Sequence, residues 1–287
     1  MVLPEWLHRA LRLPYRLRFR SQGSGPTLIF LHGLAADSKI WQPVIDELAS
    51  RYRCITLDLL GHGVSPKPTH VAYTVQEHLR SVRWTLWWHG IWGRKTLVGH
   101  SMGSIISLHW AASKPRQVKR LVLVAMPLYR TQSSQESSKR LEGFLDAGYL
   151  RFYRALRAVP KQWSIRSAQA LVRLTPSLTG QAMVDEATWY PVASSLQYTI
   201  ERQTALAEIL ELDERLPITV LYGTLDNLVL ATNLKRAFLG RPHTRIMRAI
   251  VPHELNARHC KAVVKAIRST EDPWYTDQQP LKSLSQK

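Results

Sequence analysis

Short apolar runs alternate with helix-like stretches along most of the 287-residue chain. The runs have the length of strands, at residues 28–31, 54–57, 96–99, 121–125, 218–222 and 246–251. Apolar residues at helical spacing lie between or after them, at residues 41–50, 75–90, 104–113 and 262–269. Strands that alternate with helices are typical of βαβ units, whose sheet is covered by helices on both faces. The sequence therefore predicts an α/β fold with a mostly parallel sheet.

An N-terminal arm precedes the first of these strands. Tyr15, Leu17 and Phe19 alternate with arginines at positions 16, 18 and 20, which is the period of a strand with one solvated face. Charged side chains on a strand oppose its pairing with other chains, so we expect this strand at an edge of the sheet. The alternative is contact of the arm with a membrane surface through Trp6 and the arginines.

Residues 130–215 interrupt the alternation and have helical spacing without a strand. We expect an all-helical lid there, inserted into an α/β core formed by residues 1–129 and 216–270. Residues 271–287 are polar and are expected to form a loose C-terminal tail. Residues 114–173 hold 13 lysines and arginines against 3 acidic residues. This excess indicates either a solvated helix face or a surface that attracts anionic substrates or acidic membranes.

The pentapeptide Gly99-His100-Ser101-Met102-Gly103 lies between a predicted strand and a predicted helix. In this setting the pattern G-x-S-x-G forms a strained turn that projects the serine hydroxyl from the edge of the sheet. Glycines on either side allow the strand and the helix to approach closely. The following helix directs its free N–H groups towards developing negative charge. Ser101 is therefore the predicted nucleophile.

On these residues the chain resembles the α/β-hydrolase superfamily, in an esterase- and lactonase-like branch with Gly-His-Ser-Met-Gly turns and a helical lid. Leu31-His32-Gly33-Leu34 and the stretch at 58–65, each after a predicted strand, carry the resemblance further, over residues 15–269. The resemblance implies an oxyanion hole formed by the backbone N–H groups of Leu34 and Met102. It also implies the chain order serine, acid, histidine for a catalytic triad.

The remaining members of the triad are expected after two late strands. Asp226 stands in the Gly-x-x-Asp position after residues 218–222, whereas no carboxylate follows the strand at 121–125. His253 follows the last strand and is the predicted base, with His259 as the alternative. Pro252 stands where the family usually has glycine, so the local loop geometry is expected to differ.

The predicted function is hydrolysis of carboxylic esters or lactones through an acyl-enzyme, without a metal or an organic cofactor. The same triad serves thioester cleavage, carbon–carbon bond hydrolysis and perhydrolysis, and some relatives are non-catalytic ligand-binding proteins. A serine at position 101 argues against haloalkane dehalogenases and epoxide hydrolases, whose relatives have aspartate there. The candidate pocket residues are His32, His100, Tyr149 and Tyr153.

The charge balance of the chain bears on which binding partners we expect. The chain has 39 lysines and arginines against 21 acidic residues, a net charge of +18, but no nucleic-acid-binding pattern accompanies this charge, so no nucleic acid is expected. The expected partner is an ester-type small molecule, anionic or lipophilic, and peripheral membrane contact stays open. No signal peptide is evident in the first twenty residues, which favours a cytoplasmic protein.

Four tryptophans, Trp84, Trp87, Trp88 and Trp92, follow helical spacing in one predicted helix, which indicates core packing or a partner interface.

Overall fold

A computed structural model of the protein describes residues 4–129, 185–226 and 228–269. Seven strands form one sheet in the order β1-β3-β2-β4-β5-β6-β7. Their bounds are Phe19–Gln22, Thr27–Leu31, Arg53–Leu57, Lys95–His100, Val118–Val124, Ile218–Gly223 and Thr244–Ala249 for β1 to β7. Only β1 pairs antiparallel with its neighbour, and the other pairs are parallel. The predicted α/β fold with a mostly parallel sheet is confirmed.

Eight α-helices accompany the sheet in the described part of the chain. Their bounds are Glu5–Leu11, Gln42–Leu48, Val75–Trp88, Met102–Ser113, Trp189–Ser195, Ala205–Glu211, Ala231–Ala237 and Ala257–Ser269 for α1 to α8. Helices α2 and α8 pack together on one face, and α3 and α4 pack together on the other. The apolar side chains of the central strands β4 and β5 between these layers are almost completely buried. The carboxyl ends of the parallel strands therefore share one edge of a covered sheet.

The edge position predicted for the arm is confirmed, because β1 is the outermost strand. The strand begins later than the alternation indicates. Before it, the backbone N–H of Tyr15 donates to Ser81 Oγ at 3.3 Å and that of Leu17 to Thr85 Oγ1 at 2.8 Å. The backbone N–H groups in the first half of the arm thus donate to side chains of α3, and not to a neighbouring strand.

The predicted lid is described only from residue 185 onwards, and there it is helical. Helices α5 and α6 enclose a π-helical segment, Leu196–Glu201, and no strand occurs in residues 185–215. Residues 130–184, which include Tyr149 and Tyr153, and the tail from residue 270 lie outside the described residues. The division into core, lid and tail therefore stays a prediction.

Most of the four tryptophans with helical spacing do not face the core. Leu79, Val82 and Leu86 occupy the buried face of α3, and the helix ends at Trp88, before Trp92. As a result Trp87, Trp88 and Trp92 are exposed, and the core interpretation is wrong for these three. Among the described residues, no helix has both the length and the apolar character that crossing a membrane requires.

Candidate active site

Ser101 occupies a strained turn between β4 and α4. Its φ of 51° and ψ of −119° place a non-glycine residue in a conformation that L-residues rarely adopt. Such strain costs on the order of 1–3 kcal/mol and persists only where the surroundings impose it. Here the backbone N–H of Ser101 donates to the carbonyl of Val124 on β5 at 2.9 Å. The turn is thus fixed to the neighbouring strand with the hydroxyl at the carboxyl edge of the sheet.

The two glycines of the pentapeptide are required by close backbone contact. A Cβ on Gly99 would overlap the carbonyl of Gly103, and a Cβ on Gly103 would overlap the carbonyl of Leu31 on β2. The strand and the helix therefore approach as closely as the sequence pattern predicts. This approach places the first turn of α4 directly against the end of β2.

The structure brings Ser101, His253 and Asp226 into one hydrogen-bonded chain. Ser101 Oγ lies 2.9 Å from His253 Nε2, and His253 Nδ1 lies 2.8 Å from Asp226 Oδ2. A carboxylate only accepts, so Nδ1 carries the proton and Nε2 is free to accept the serine hydroxyl proton. The Asp226 side chain is completely buried. The arrangement can transfer a proton from Ser101 to His253 while a buried carboxylate faces the resulting imidazolium.

The second oxygen of Asp226 is held by the backbone. Asp226 Oδ1 accepts hydrogen bonds from the N–H groups of Leu228 at 2.8 Å and Val229 at 3.1 Å. These bonds fix the rotation of the carboxylate, so that Oδ2 points at the imidazole. The sequence pattern identified Asp226 but not these two donors, which depend on the loop conformation after β6.

His100 supports the loop that carries His253. Its Nε2 donates to the backbone carbonyl of His253 at 2.8 Å, and the two ring centroids are 5.1 Å apart. Burial is the main cause that lowers the pKa of His100 well below its usual value, so the ring is neutral. Sequence reasoning placed His100 in the pocket or in packing and missed this contact, which no local pattern encodes.

The other candidate histidines are engaged elsewhere. His32 is buried and accepts from the N–H of Leu59 at 2.9 Å, while its Nδ1 donates to the carbonyl of Gly33 at 2.7 Å. Both ring nitrogens are therefore used within the protein, so His32 has no ring nitrogen left to bind a substrate. The buried His259, the alternative base, directs Nδ1 to the carbonyl of Glu254 at 3.0 Å, whereas His253 contacts Ser101.

The backbone amides of Leu34 and Met102 lie on either side of the turn. Gly33 is so close to Ser101 that a Cβ on it would lie 3.1 Å from the serine Cβ, which brings Leu34 beside the site. Met102 is the first residue of α4, where N–H groups have no partner within the helix. Within residues 4–129, 185–226 and 228–269, no backbone hydrogen bond uses either N–H. The oxyanion hole that the resemblance implies therefore stays a prediction.

In the described ranges no group of three or more histidine, cysteine or acidic side chains is arranged to hold a metal ion. A family model described as alpha/beta hydrolase fold matches residues 26–238. The chain belongs to this family.

The curated relatives of this α/β hydrolase match it over part of their length. An uncharacterised protein of Mycobacterium tuberculosis is 40% identical over 111 residues, which are 39% of this chain and 32% of the relative. The 2-(acetamidomethylene)succinate hydrolase of Mesorhizobium japonicum is 31% identical over 132 residues, 46% of each chain. A crystal structure of a hydrolase from Pseudomonas aeruginosa has a TM-score of 0.68 and 18% identity, covering 89% of this chain and 94% of that one.

Glu254 places a second carboxyl group close to the site, immediately after His253 in the chain. Both carboxyl oxygens of Glu254 are buried and have no hydrogen-bond partner among the described residues. Burial raises the pKa of Glu254 above its usual value, which favours the neutral form. No sequence pattern indicates this burial.

Proposed function

We propose that the protein is a serine hydrolase that cleaves carboxylic esters or lactones through an acyl-enzyme. The observation that carries the proposal is the continuous chain Ser101–His253–Asp226, with contacts of 2.9 and 2.8 Å. A serine hydroxyl is a weak nucleophile at neutral pH and requires a base in hydrogen-bond reach. His253 meets this requirement without any rearrangement of the site.

In the acylation step, Ser101 Oγ attacks the substrate carbonyl carbon while its proton passes to His253 Nε2. The carbonyl oxygen becomes an oxyanion, which the N–H groups of Leu34 and Met102 stabilise. Preorganised donors of this kind contribute roughly 3–4 kcal/mol each to the transition state. The carbon–oxygen bond to the alcohol then breaks, and the leaving alkoxide takes the proton from Nε2. Asp226 stabilises the imidazolium between these two transfers.

Deacylation repeats the same steps with water. His253 Nε2 accepts a proton from the water molecule as its oxygen attacks the acyl carbon, and the same two amides bind the second oxyanion. Collapse of this intermediate breaks the bond to Ser101 and returns the proton to its oxygen. The carboxylic acid leaves, and the enzyme is regenerated without a cofactor.

We infer the substrate class from the site and the family. The triad generates an oxygen nucleophile for an acyl carbon, and an ester or a lactone offers both an electrophilic carbonyl and an alkoxide leaving group. The Mesorhizobium japonicum relative is named a hydrolase of a small dicarboxylic acid, which supports a small-molecule substrate for this chain too. A net charge of +18 favours anionic substrates by long-range attraction.

Covalent labelling tests nucleophile activation without knowledge of the substrate. A fluorophosphonate probe is expected to label the wild-type protein once, with the label mapped by mass spectrometry to the peptide that contains Ser101. Ser101→Ala should abolish labelling, whereas Ser113→Ala, at the exposed end of α4, should retain it. Equal labelling of wild type and Ser101→Ala would contradict the proposal.

A turnover assay then separates the enzyme from a non-catalytic binding protein. Short- and medium-chain nitrophenyl esters and simple lactones are supplied to wild type, Ser101→Ala, His253→Ala and the double variant. Each single variant is expected to lose roughly 10⁶-fold in kcat, with the double variant little worse, because the residues act as a unit. Rates equal to the uncatalysed background in all four proteins would exclude ester hydrolysis.

A further inference from the structure

An aromatic cluster covers the end of α3 and the loop that follows it. Trp84 and Trp87 stack with centroids 5.0 Å apart, Trp88 lies 6.3 Å from both, and Trp92 meets Trp87 edge-on at 6.1 Å. We call Trp84, Trp87, Trp88 and Trp92 the tryptophan cluster. Its members contact one another across the surface of the helix and form one continuous patch.

Most of this patch is open to solvent. The exposed fractions are 48% for Trp87, 45% for Trp88 and 64% for Trp92. Indole is the largest side chain and normally covers apolar surface, and contiguous exposed apolar patches mark sites of interaction. Leu79, Val82 and Leu86 already anchor α3 to the core, so the exposed rings are not needed to hold the helix.

The surroundings of the tryptophan cluster are cationic. The sequence has no acidic residue from position 78 to position 135, and it has eight lysines and arginines between positions 78 and 120. A groove of about 190 Å³ beside Trp87 and Trp92 is lined by Arg83, Lys95 and Arg116 and by no carboxylate. On the other side, the Arg16 guanidinium lies 5.3 Å from the centre of the Trp88 ring, and the groove there is lined by Arg16 and Arg18 against one carboxylate, Glu5. The patch thus has an aromatic centre and a basic rim.

We propose that the tryptophan cluster and its basic rim bind the surface of an anionic phospholipid bilayer. Tryptophan is enriched at membrane interfaces because its apolar ring and its N–H suit the headgroup region. Lysine and arginine near an anionic leaflet each add an attraction of about 1 kcal/mol, or about fivefold in affinity. The patch combines both contributions on one face of the protein.

Two other occupants fit the patch less well. A second copy of the chain would bring two identical basic rims together, which charge repulsion opposes. Single-stranded nucleic acid needs free ring faces on which its bases stack. In the cluster, Trp84 and Trp87 already stack on each other with an interplanar angle of 15°, so one face of each of these two rings is covered. A bilayer surface needs no such stacking geometry.

The position of the patch has a consequence for catalysis. Trp92 lies just before β4, and Ser101 lies just after the carboxyl end of the same strand. A six-residue strand spans about 20 Å, so the patch and the active-site serine are at opposite ends of the sheet. The bilayer contact would therefore hold the protein at a membrane while its active site faces the aqueous side, and turnover of a soluble ester should not change when the protein is bound.

Vesicle sedimentation tests the proposal with the full chain. Vesicles of phosphatidylcholine with phosphatidylglycerol are expected to bind the protein at low salt, and vesicles of phosphatidylcholine alone should bind it at least tenfold more weakly. Trp87→Ser/Trp92→Ser should weaken binding to the mixed vesicles by at least tenfold. Leu239→Ser, at a leucine 83% exposed near the opposite edge of the sheet, is the matched control and should bind like wild type.

A second comparison tests the rim with two double variants that change the net charge of the protein by the same amount. Arg83→Glu/Arg116→Glu is compared with Lys261→Glu/Lys265→Glu, whose lysines are exposed on α8. The rim variant should weaken binding at least tenfold more than the α8 variant. Circular dichroism and thermal unfolding of all variants check that the fold is intact, and neither measurement depends on the proposed function.

Three results would overturn the proposal. Equal binding of wild type and both patch variants to anionic vesicles would place the membrane contact elsewhere. Loss of self-association or of oligonucleotide binding in the tryptophan variant, with vesicle binding unchanged, would identify a different occupant. Absence of wild-type binding to anionic vesicles at low salt would remove the membrane contact altogether.

Discussion

His100 Nε2 donates a hydrogen bond to the backbone carbonyl of His253 at 2.8 Å, and this bond joins positions 153 residues apart in the chain. The residue immediately before Ser101 therefore holds the loop that carries the histidine facing Ser101. Pro252, which stands at the start of that loop, has no N–H with which to anchor it. The contact from His100 anchors the loop at the backbone of His253.

Replacement of His100 should impair the site without removing any member of the triad. His100→Leu deletes the donor, which lets the loop move, and misplacement by about 1 Å costs on the order of 100-fold in kcat. His100→Gln retains a donor at a similar reach and should recover most of the activity. The measurement is kcat and KM on one nitrophenyl ester. Similar losses in both variants, or a loss confined to KM, would argue against a positioning role.

Asp226→Asn should reduce kcat by about 10⁴-fold with little change in stability. The N–H groups of Leu228 and Val229 require an acceptor, so the amide oxygen takes the place of Oδ1 and the NH₂ group faces His253. Nδ1 must then accept, which places the proton on Nε2 and prevents it from accepting the proton of Ser101. The readout is kcat together with the thermal midpoint. Asp213→Asn, at a loop aspartate that caps the N–H of Arg215, is the control and should retain wild-type activity.

The regular parts of the fold were predictable because their signal is local. The buried parts of parallel strands such as β5 and β6 are largely apolar runs, and the turn at Ser101 lies between a clear strand and a clear helix. The positions of Asp226 and His253 followed from the resemblance, because both lie just after strands whose carboxyl ends share one edge. Spacing alone did not assign the base to His253 rather than His259.

What the sequence did not predict depends on contacts between distant segments. The tryptophan cluster has helical spacing, but a helix on the surface of a domain buries only one face. In α3 that face is formed by Leu79, Val82 and Leu86. His32 stands in the motif of the resemblance, yet its partner Leu59 is 27 residues away. Such pairings become visible only when the strands are arranged in the sheet.

Gly103→Ala should destabilise the protein and disturb the oxyanion amides together. The added Cβ would overlap the carbonyl of Leu31, so α4 must move away from the end of β2. Overpacking of this kind typically costs 1–3 kcal/mol, so we expect the free energy of unfolding to fall by about 2 kcal/mol. Movement of α4 also separates Met102 from Leu34, which should lower kcat by more than tenfold. Urea unfolding and ester turnover measure the two effects. Ser113→Ala, at the exposed end of the same helix, should change neither.

Stability should fall as the pH decreases below about 6.5, because several histidines are buried in the neutral form. Burial is the main cause that lowers the pKa of His32, His62, His100 and His259, and it lowers the pKa of His78 to about 3. Above the unfolded-state value of about 6.5 neither state binds these protons, so the stability is complete there. Between pH 6.5 and the depressed folded-state values only the unfolded chain takes them up, so the free energy of unfolding decreases with falling pH.

The contribution of His78 to this slope can be isolated. His78→Gln removes one imidazole that the folded state keeps neutral, so the slope between pH 6 and pH 4 should decrease by about 1.4 kcal/mol per pH unit. Ser195→Ala is the matched control, because it deletes the hydrogen bond of 3.2 Å to His78 Nε2 without removing a titratable group. It should lower stability by a similar amount at every pH and leave the slope unchanged. Urea unfolding at several pH values gives both slopes, and an unchanged slope in His78→Gln would mean that the folded protein accepts a proton at this site.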